Sequence, residues 1–379
     1  MSIVNLQVEP IYCRSPYIIE VNNTFPVNTG SKIELFLWNE GSTPPTSPTY
    51  VLSKLIPAPD KLQMLYNISN YIKEYISFIG NDPAVNVIPK DSTYNEWCYV
   101  KVKRYYEAPA NSYNLLDEKT YYAFDGYGYY EQGYNPELSI YGLAPNTTDN
   151  YYDYFADPNN IASGVQPFNN KSGDIRIIGT NGYIIRYTNL VSGSVNEFTL
   201  GGLGITISYV VKIYAVFVGA WSQGNKIEYV DDLGTTLATW IFRPKEECKY
   251  TPIACDFINK YGAWQRTFFY KASSTSLGTT KKEYDLYSRD LVNYDPRVEQ
   301  KKVFNLNGTE TIKVNTDWVE EAYNELVLKP LMLSEVIRLD NKPVVLKTQK
   351  TELFEHINKK MINYSLEFEY ANAVINNLV

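Results

Sequence analysis

Near the end of the chain, Tyr364, Leu366, Phe368 and Tyr370 alternate with Ser365, Glu367 and Glu369. An apolar side chain at every second position puts one face of an extended strand in a core and the other in water, and a helix cannot keep such a set on one face. The same period runs through the interior, where Ile205, Ile207, Tyr209, Val211, Ile213, Ala215 and Phe217 share one parity. The opposite parity starts polar with Thr206 and Ser208 and ends largely apolar with Tyr214, Val216 and Val218. A long strand entering a region covered on both faces is therefore expected. Residues 205–221 are apolar enough to resemble a membrane span, but the alternation and the central Lys212 argue against one.

Tyrosine reinforces the β reading. It fills 35 of 379 positions, beside a single histidine, His356. Tyrosine suits strands and half-wet surfaces, because its ring buries apolar area while its hydroxyl stays hydrogen-bonded. Histidine is the commonest general acid/base and metal ligand. The balance points to contact rather than chemistry.

A chain of this length exceeds one ordinary core. The first division, 1–105, reads as a sandwich-like domain with strands at Tyr17–Val21, Ile33–Trp38, Tyr50–Ile56 and Trp97–Tyr105. Ile68, Ile72, Tyr75, Ile76 and Ile79 predict a helix there, capped by Asn67 and ended by Gly80. Residues 106–170 form a tyrosine-rich loop insertion. The third division, 171–379, is again β, with strands at Asp174–Ile178 and Tyr183–Tyr187 around the turn dipeptide Asn181-Gly182. Further strands are expected at Lys226–Val230, Leu237–Phe242 and Arg266–Tyr270. A hairpin is expected around Asn307-Gly308, followed by a helix near 317–329 capped by Asp317 and ended by Pro330. The expected fold is mainly β: β-sandwich-like domains with about two short helices and long loop insertions.

Reactive constellations are scarce. Cys13, Cys98, Cys248 and Cys255 have no zinc spacing and no nearby histidine, so free buried thiols are expected, as in a reducing cytosol. No nucleophile elbow, phosphate loop or metalloprotease motif is present. Gly201-Gly202-Leu203-Gly204 reads as a tight turn, and Asp231-Asp232-Leu233-Gly234 as a hairpin turn. Asp125, with Glu131 and Glu137 downstream, is the one carboxylate set among aromatics that a glycosidase could use; the plainer reading is a turn aspartate. Net charge is −7, and the short cluster Lys101, Lys103 and Arg104 reads as one exposed strand face, so no specific nucleic acid is expected. The N-terminus lacks the basic and apolar regions of a signal peptide. No catalytic, cofactor-binding or metal-binding residue is assigned, and no cofactor.

Residues 121–154 hold ten tyrosines, broken by glycine and proline. Such a segment could stack on sugar rings, pack on a neighbouring subunit, or pack within its own chain. Tyr127, Tyr129 and Tyr130 are the interface candidates, with Tyr127 and Tyr129 on one side of an extended backbone and Tyr130 on the other.

Three places carry a resemblance. They are Ser15-Pro16-Tyr17-Ile18-Ile19 with Ile33–Trp38 and Asn67–Ile72; Phe257–Gln265; and Asn315-Thr316-Asp317-Trp318 running on to the strand Tyr364–Tyr370. In these the chain resembles virion structural proteins (tail, neck or baseplate) of tailed bacteriophages infecting Bacteroidetes-type hosts. The resemblance implies a non-enzymatic virion component, assembled in the host cytoplasm, with copies of itself and neighbouring virion proteins as partners. The alternative is a carbohydrate-binding adhesin or receptor-binding protein whose partner is a host glycan.

Overall fold

In the computed structural model, the described residues are 10–22, 29–56, 63–80, 90–91, 96–138, 141–147, 150–155, 174–201, 210–214, 224–247, 249–286, 295, 297, 299–353 and 361–375. Cys248, His356, and residues 202–209 and 215–221 of the expected turn and long strand lie outside them. The fold is mainly β, with five sheets among the described residues.

The first sheet has the order β1 (Ile11–Tyr12), β8 (Tyr113–Phe124), β7 (Trp97–Glu107), β3 (Gly30–Trp38) and β4 (Tyr50–Leu55). The two-stranded sheet of β2 (Ile18–Asn22) and β5 (Gln63–Asn67) covers it. Ile19, Val21, Met64 and Tyr66 from the small sheet share a core with Ile33, Leu35, Leu37, Val100 and Val102 from the large one. This is a sandwich in the sense the alternation predicted. Burial of each such side chain contributes about 1.5–3 kcal/mol before entropy is counted.

A three-stranded sheet runs β10 (Asp174–Ile178), β13 (Val210–Tyr214) and β6 (Lys90–Asp91). Val210, Val211, Lys212 and Ile213 of its central strand are all buried, so both faces are covered there as expected. A five-stranded sheet runs β12 (Val195–Thr199), β11 (Ile184–Asn189), β14 (Asn225–Val230), β15 (Thr236–Lys245) and β9 (Tyr152–Phe155). The largest sheet has seven strands: β17 (Trp264–Phe269), β16 (Ile253–Ile258), β20 (Ile337–Leu339), β21 (Lys342–Leu346), β22 (Ile362–Tyr370), β19 (Lys301–Val319) and β18 (Ser274–Asp285). These three sheets share one core, to which Ile177, Ile213, Tyr229, Trp240, Phe257 and Phe368 contribute.

Several expectations are corrected. Asn181-Gly182 is a turn, with Gly182 at φ 85°. It does not close a hairpin, because β10 pairs with β13 while β11 pairs with β12 and β14. No hairpin forms at Asn307-Gly308 either: β19 runs unbroken through it, paired with β18. The helix expected over 67–80 is the short α1 (Ser69–Lys73), and residues 63–67 are strand. Asn67 does not cap it by the usual bond; its Oδ1 accepts from the N–H and hydroxyl of Ser69. The helix expected from Asp317 starts later. β19 continues to Val319, a π-helical turn covers Asn324–Leu328, and α2 (Lys329–Met332) contains Pro330 in its first turn rather than ending at it. Arg104 does not share the exposed face of Lys101 and Lys103. It is buried and bidentate to Asp117 at 2.8 and 2.7 Å, whereas the lysines reach Glu118.

The run Tyr121-Tyr122-Ala123-Phe124, expected as loop, is the end of β8. Beyond it the chain packs against the β16–β17 turn: the Tyr127 N–H donates to the Lys260 carbonyl at 2.8 Å. Gly262 sits at φ 77°, and a Cβ there would lie 2.6 Å from the Asp125 nitrogen, so only glycine allows the two backbones this approach. No helix among the described residues is long and apolar enough to cross a membrane.

Candidate functional site

The three tyrosine candidates do not form one exposed patch. Tyr127 is buried, with the Arg14 guanidinium 4.8 Å from its ring centroid. Tyr129 is half-buried, with Lys329 Nζ 4.1 Å above its ring. The two rings lie 6.1 Å apart, edge to face. Burial pushes both hydroxyls above their ordinary pKa. These two rings therefore stitch the exit of β8 to the β16–β17 turn and to α2. Tyr130 opens a 3-10 turn held by Gln132, whose Oε1 accepts the Tyr129 N–H at 2.9 Å. It is 97% exposed, and Tyr134 is also exposed. Of the remaining rings, Tyr121, Tyr152 and Tyr154 are buried. Most of the tyrosine-rich segment packs within its own chain.

Asp125 is buried beneath this region and accepts from Cys13 Sγ at 3.6 Å. Glu131 and Glu137 are exposed. The carboxylate set imagined around Asp125 is thus split between core and surface. Burial raises Asp125 to about 6, opposed by the positive charges of Arg14 and Lys73. Among the described residues, no group of three or more His, Cys, Asp or Glu side chains is placed to hold a metal ion. Cys13, Cys98 and Cys255 are free and buried, and burial raises all three thiols.

An extended solvent-facing feature was not singled out by sequence reasoning. All twelve residues of β18 are exposed. Its neighbour β19 is exposed from Lys301 to Leu306 and joins β22 only from Thr311 onward. The distal part, beyond the last β22 contact, is a two-stranded ribbon reaching roughly 30 Å. Its base is steadied by the C-terminal segment, where the Val374 N–H donates to the Gly308 carbonyl at 2.9 Å and the Ile375 N–H to Asn307 Oδ1 at 3.0 Å. Apolar side chains lie open along it: Leu277, Tyr284, Val303, Phe304 and Leu306. The Tyr284 and Phe304 rings meet edge to face at 5.5 Å. Over residues 281–302 six cations stand against five carboxylates, so this stretch is close to neutral, whereas the whole chain carries −7. The signal available in the sequence was the pair of aromatics Tyr284 and Phe304 in otherwise polar runs.

Fold and surface together define a mainly β protein with sandwich-like layers and a protruding two-stranded arm. Comparison with protein-family models and with curated proteins gives no match.

Proposed function

We propose that the chain is a non-enzymatic structural component of a tailed-phage virion, in the tail, neck or baseplate, held in place by contacts with copies of itself. The observation that carries this reading is the arm. A two-stranded hairpin is marginally stable alone in water. An exposed edge strand with open apolar side chains is a template for pairing with another chain. A ribbon exposed on both faces gains little from its own fold and much from a partner that covers it.

The partner favoured is a second copy. A second copy would cover the arm's open apolar side chains in a head-to-tail contact, and such a contact generates rings when the rotation closes. The sequence resemblance supports the virion setting, and the buried reduced thiols agree with assembly in the host cytoplasm. Tyr130 and Tyr134 supply a second open aromatic surface for neighbouring virion proteins.

Native mass spectrometry and particle imaging of the full chain test the reading. Discrete, symmetric oligomers are the expected result. A chain that stays monomeric at high concentration, and does not incorporate into particles, would contradict it.

A further inference from the structure

Between the parallel pair β9–β15 and the end of β19 lies a cavity of about 440 Å³. Small-ligand pockets span roughly 300–1,000 Å³, so this one suits a compact ligand. Two observations separate it from a packing gap.

The first is a bulge. The β19–β22 pairing runs to Asn315↔Ser365 and resumes at Trp318↔Asn363, so β19 carries one extra residue. Asp317 sits at φ 66°, its N–H bonded to Asn315 Oδ1 at 2.9 Å. The Thr316 hydroxyl accepts the Tyr364 N–H at 3.0 Å, repairing the ladder. Bulges re-aim side chains and recur next to binding sites. Here Asp317 lines the cavity, and Trp318 is left 57% exposed in its lining.

The second is balanced charge. Lys245 Nζ lies 3.8 Å from Asp153 Oδ2 and 3.5 Å from Asp317 Oδ2, and donates to the Trp318 carbonyl at 3.3 Å. The Tyr151 hydroxyl donates to Glu320 Oε1 at 3.3 Å, and the Arg243 guanidinium lies 4.3 Å from the Tyr151 ring centroid. A ring-face contact leaves the guanidinium N–H edges available. Three cations line the cavity against three carboxylates; Arg266 is held by Asp256 at 2.6 Å, and Asp317 is shared by Lys245 and Lys271 at 3.5 and 3.4 Å, so the balance is kept. Such a lining suits a neutral polar ligand better than an ion.

We propose that this cavity binds a neutral saccharide unit, with a pyranose face on the Trp318 indole and hydroxyls shared among Glu320, Asp153 and Arg243. Ring C–H groups carry partial positive charge and meet the negative face of an indole. Sugar hydroxyls both donate and accept, which matches carboxylates beside a guanidinium. The site is independent of the arm, so a free saccharide site and self-assembly can stand or fall separately.

Titration calorimetry of the full chain against neutral mono- and disaccharides tests it, with acidic sugars and basic peptides as controls. The expected result is saturable binding of at least one neutral sugar. Trp318→Ala and Glu320→Gln should each weaken it about tenfold or more, with melting temperature and native mass unchanged, because both side chains are exposed. Absence of sugar binding, binding indifferent to both variants, or preference for the charged controls would overturn the proposal. A Trp318→Ala chain with altered native mass would mark this face as a subunit contact and overturn it equally.

Discussion

The indole N–H of Trp264 donates to Glu96 Oε1 at 2.8 Å, and the second oxygen of that carboxylate lies 3.4 Å from Arg176 Nε. The three side chains are buried, and they tie the entry to β7 to strands β17 and β10. Around them Tyr12, Trp97, Phe124, Leu143, Ile178 and Tyr261 form a seam between the N-terminal sandwich and the remaining sheets. Glu96→Ala removes this carboxylate from the buried Arg176 guanidinium and from the Trp264 indole N–H. Breaking one side of such a pair costs about 3–5 kcal/mol. Urea unfolding of the variant should show that loss, and a change below about 1 kcal/mol would contradict the role given to the seam.

The last strand is a core element rather than a tail. Leu366 and Phe368 are fully buried, with β19 on one side and β21 on the other. The Phe368 ring lies 6.0 Å from that of Phe269. Phe368→Ala should destabilise the chain by about 3–5 kcal/mol, the cost of a cavity that cannot collapse. A chain truncated after Asn363 should not reach the native near-ultraviolet spectrum. Unchanged melting in either variant would contradict this placement.

Asp125 gives a pH dependence with a defined sign. Cys13, Arg14, Lys73 and Glu335 surround it, and burial raises it to about 6. Below about pH 4 the carboxyl is protonated in both folded and unfolded chains. Between about pH 4 and 6 the unfolded chain releases its proton while the folded chain keeps it, so stability falls as pH rises. Above that window the loss is constant. Asp125→Asn lacks this term, so its stability relative to the parent chain should rise by on the order of 2–3 kcal/mol from pH 4 to pH 7. Paired urea titrations at the two pH values measure it, and a difference that does not move with pH would contradict the burial.

The thiols should be silent in the native state. Cys98 is raised to about 12 by burial, and Cys13 and Cys255 are raised by burial and by nearby carboxylates. Thiolate is the reacting species, so iodoacetamide at neutral pH should label none of the three until the chain is unfolded. Peptide mapping resolves each site, and rapid native labelling at any of them would refute the packing.

The sequence was most legible where one face is buried. β7, β14 and β22 show period-two patterns because a core enforces them. β18 was missed because neither of its faces touches a core, so no alternation is imposed on it. Asn307-Gly308 looked like a turn, but a Cβ at Gly308 would lie 3.0 Å from Leu277 Cδ1 and 3.4 Å from Val374 Cγ2. That glycine serves close packing inside a strand. The expected N-terminal helix stops early because only its first turn is covered: Ile72 is buried, whereas Ile79 is 72% exposed. Asp317 had the spacing of a helix cap and instead occupies a bulge, a choice made by β22 pairing alongside it. The tyrosine-rich segment announced contact, but its partner for Tyr127 and Tyr129 lies in the same chain. That partner is brought near by the β16–β17 turn, more than a hundred positions away, which local pattern does not reveal.

The arm is the element on which the functional reading rests, and its open aromatics can be changed without touching a core. Tyr284→Ser with Phe304→Ser should leave melting of the monomer within about 1 kcal/mol of the parent chain, because both rings are exposed. The decisive measurement is the native mass of this double variant beside that of the parent chain at equal concentration. The account predicts discrete oligomers for the parent and monomers for the variant. Equal oligomers from both chains would contradict it.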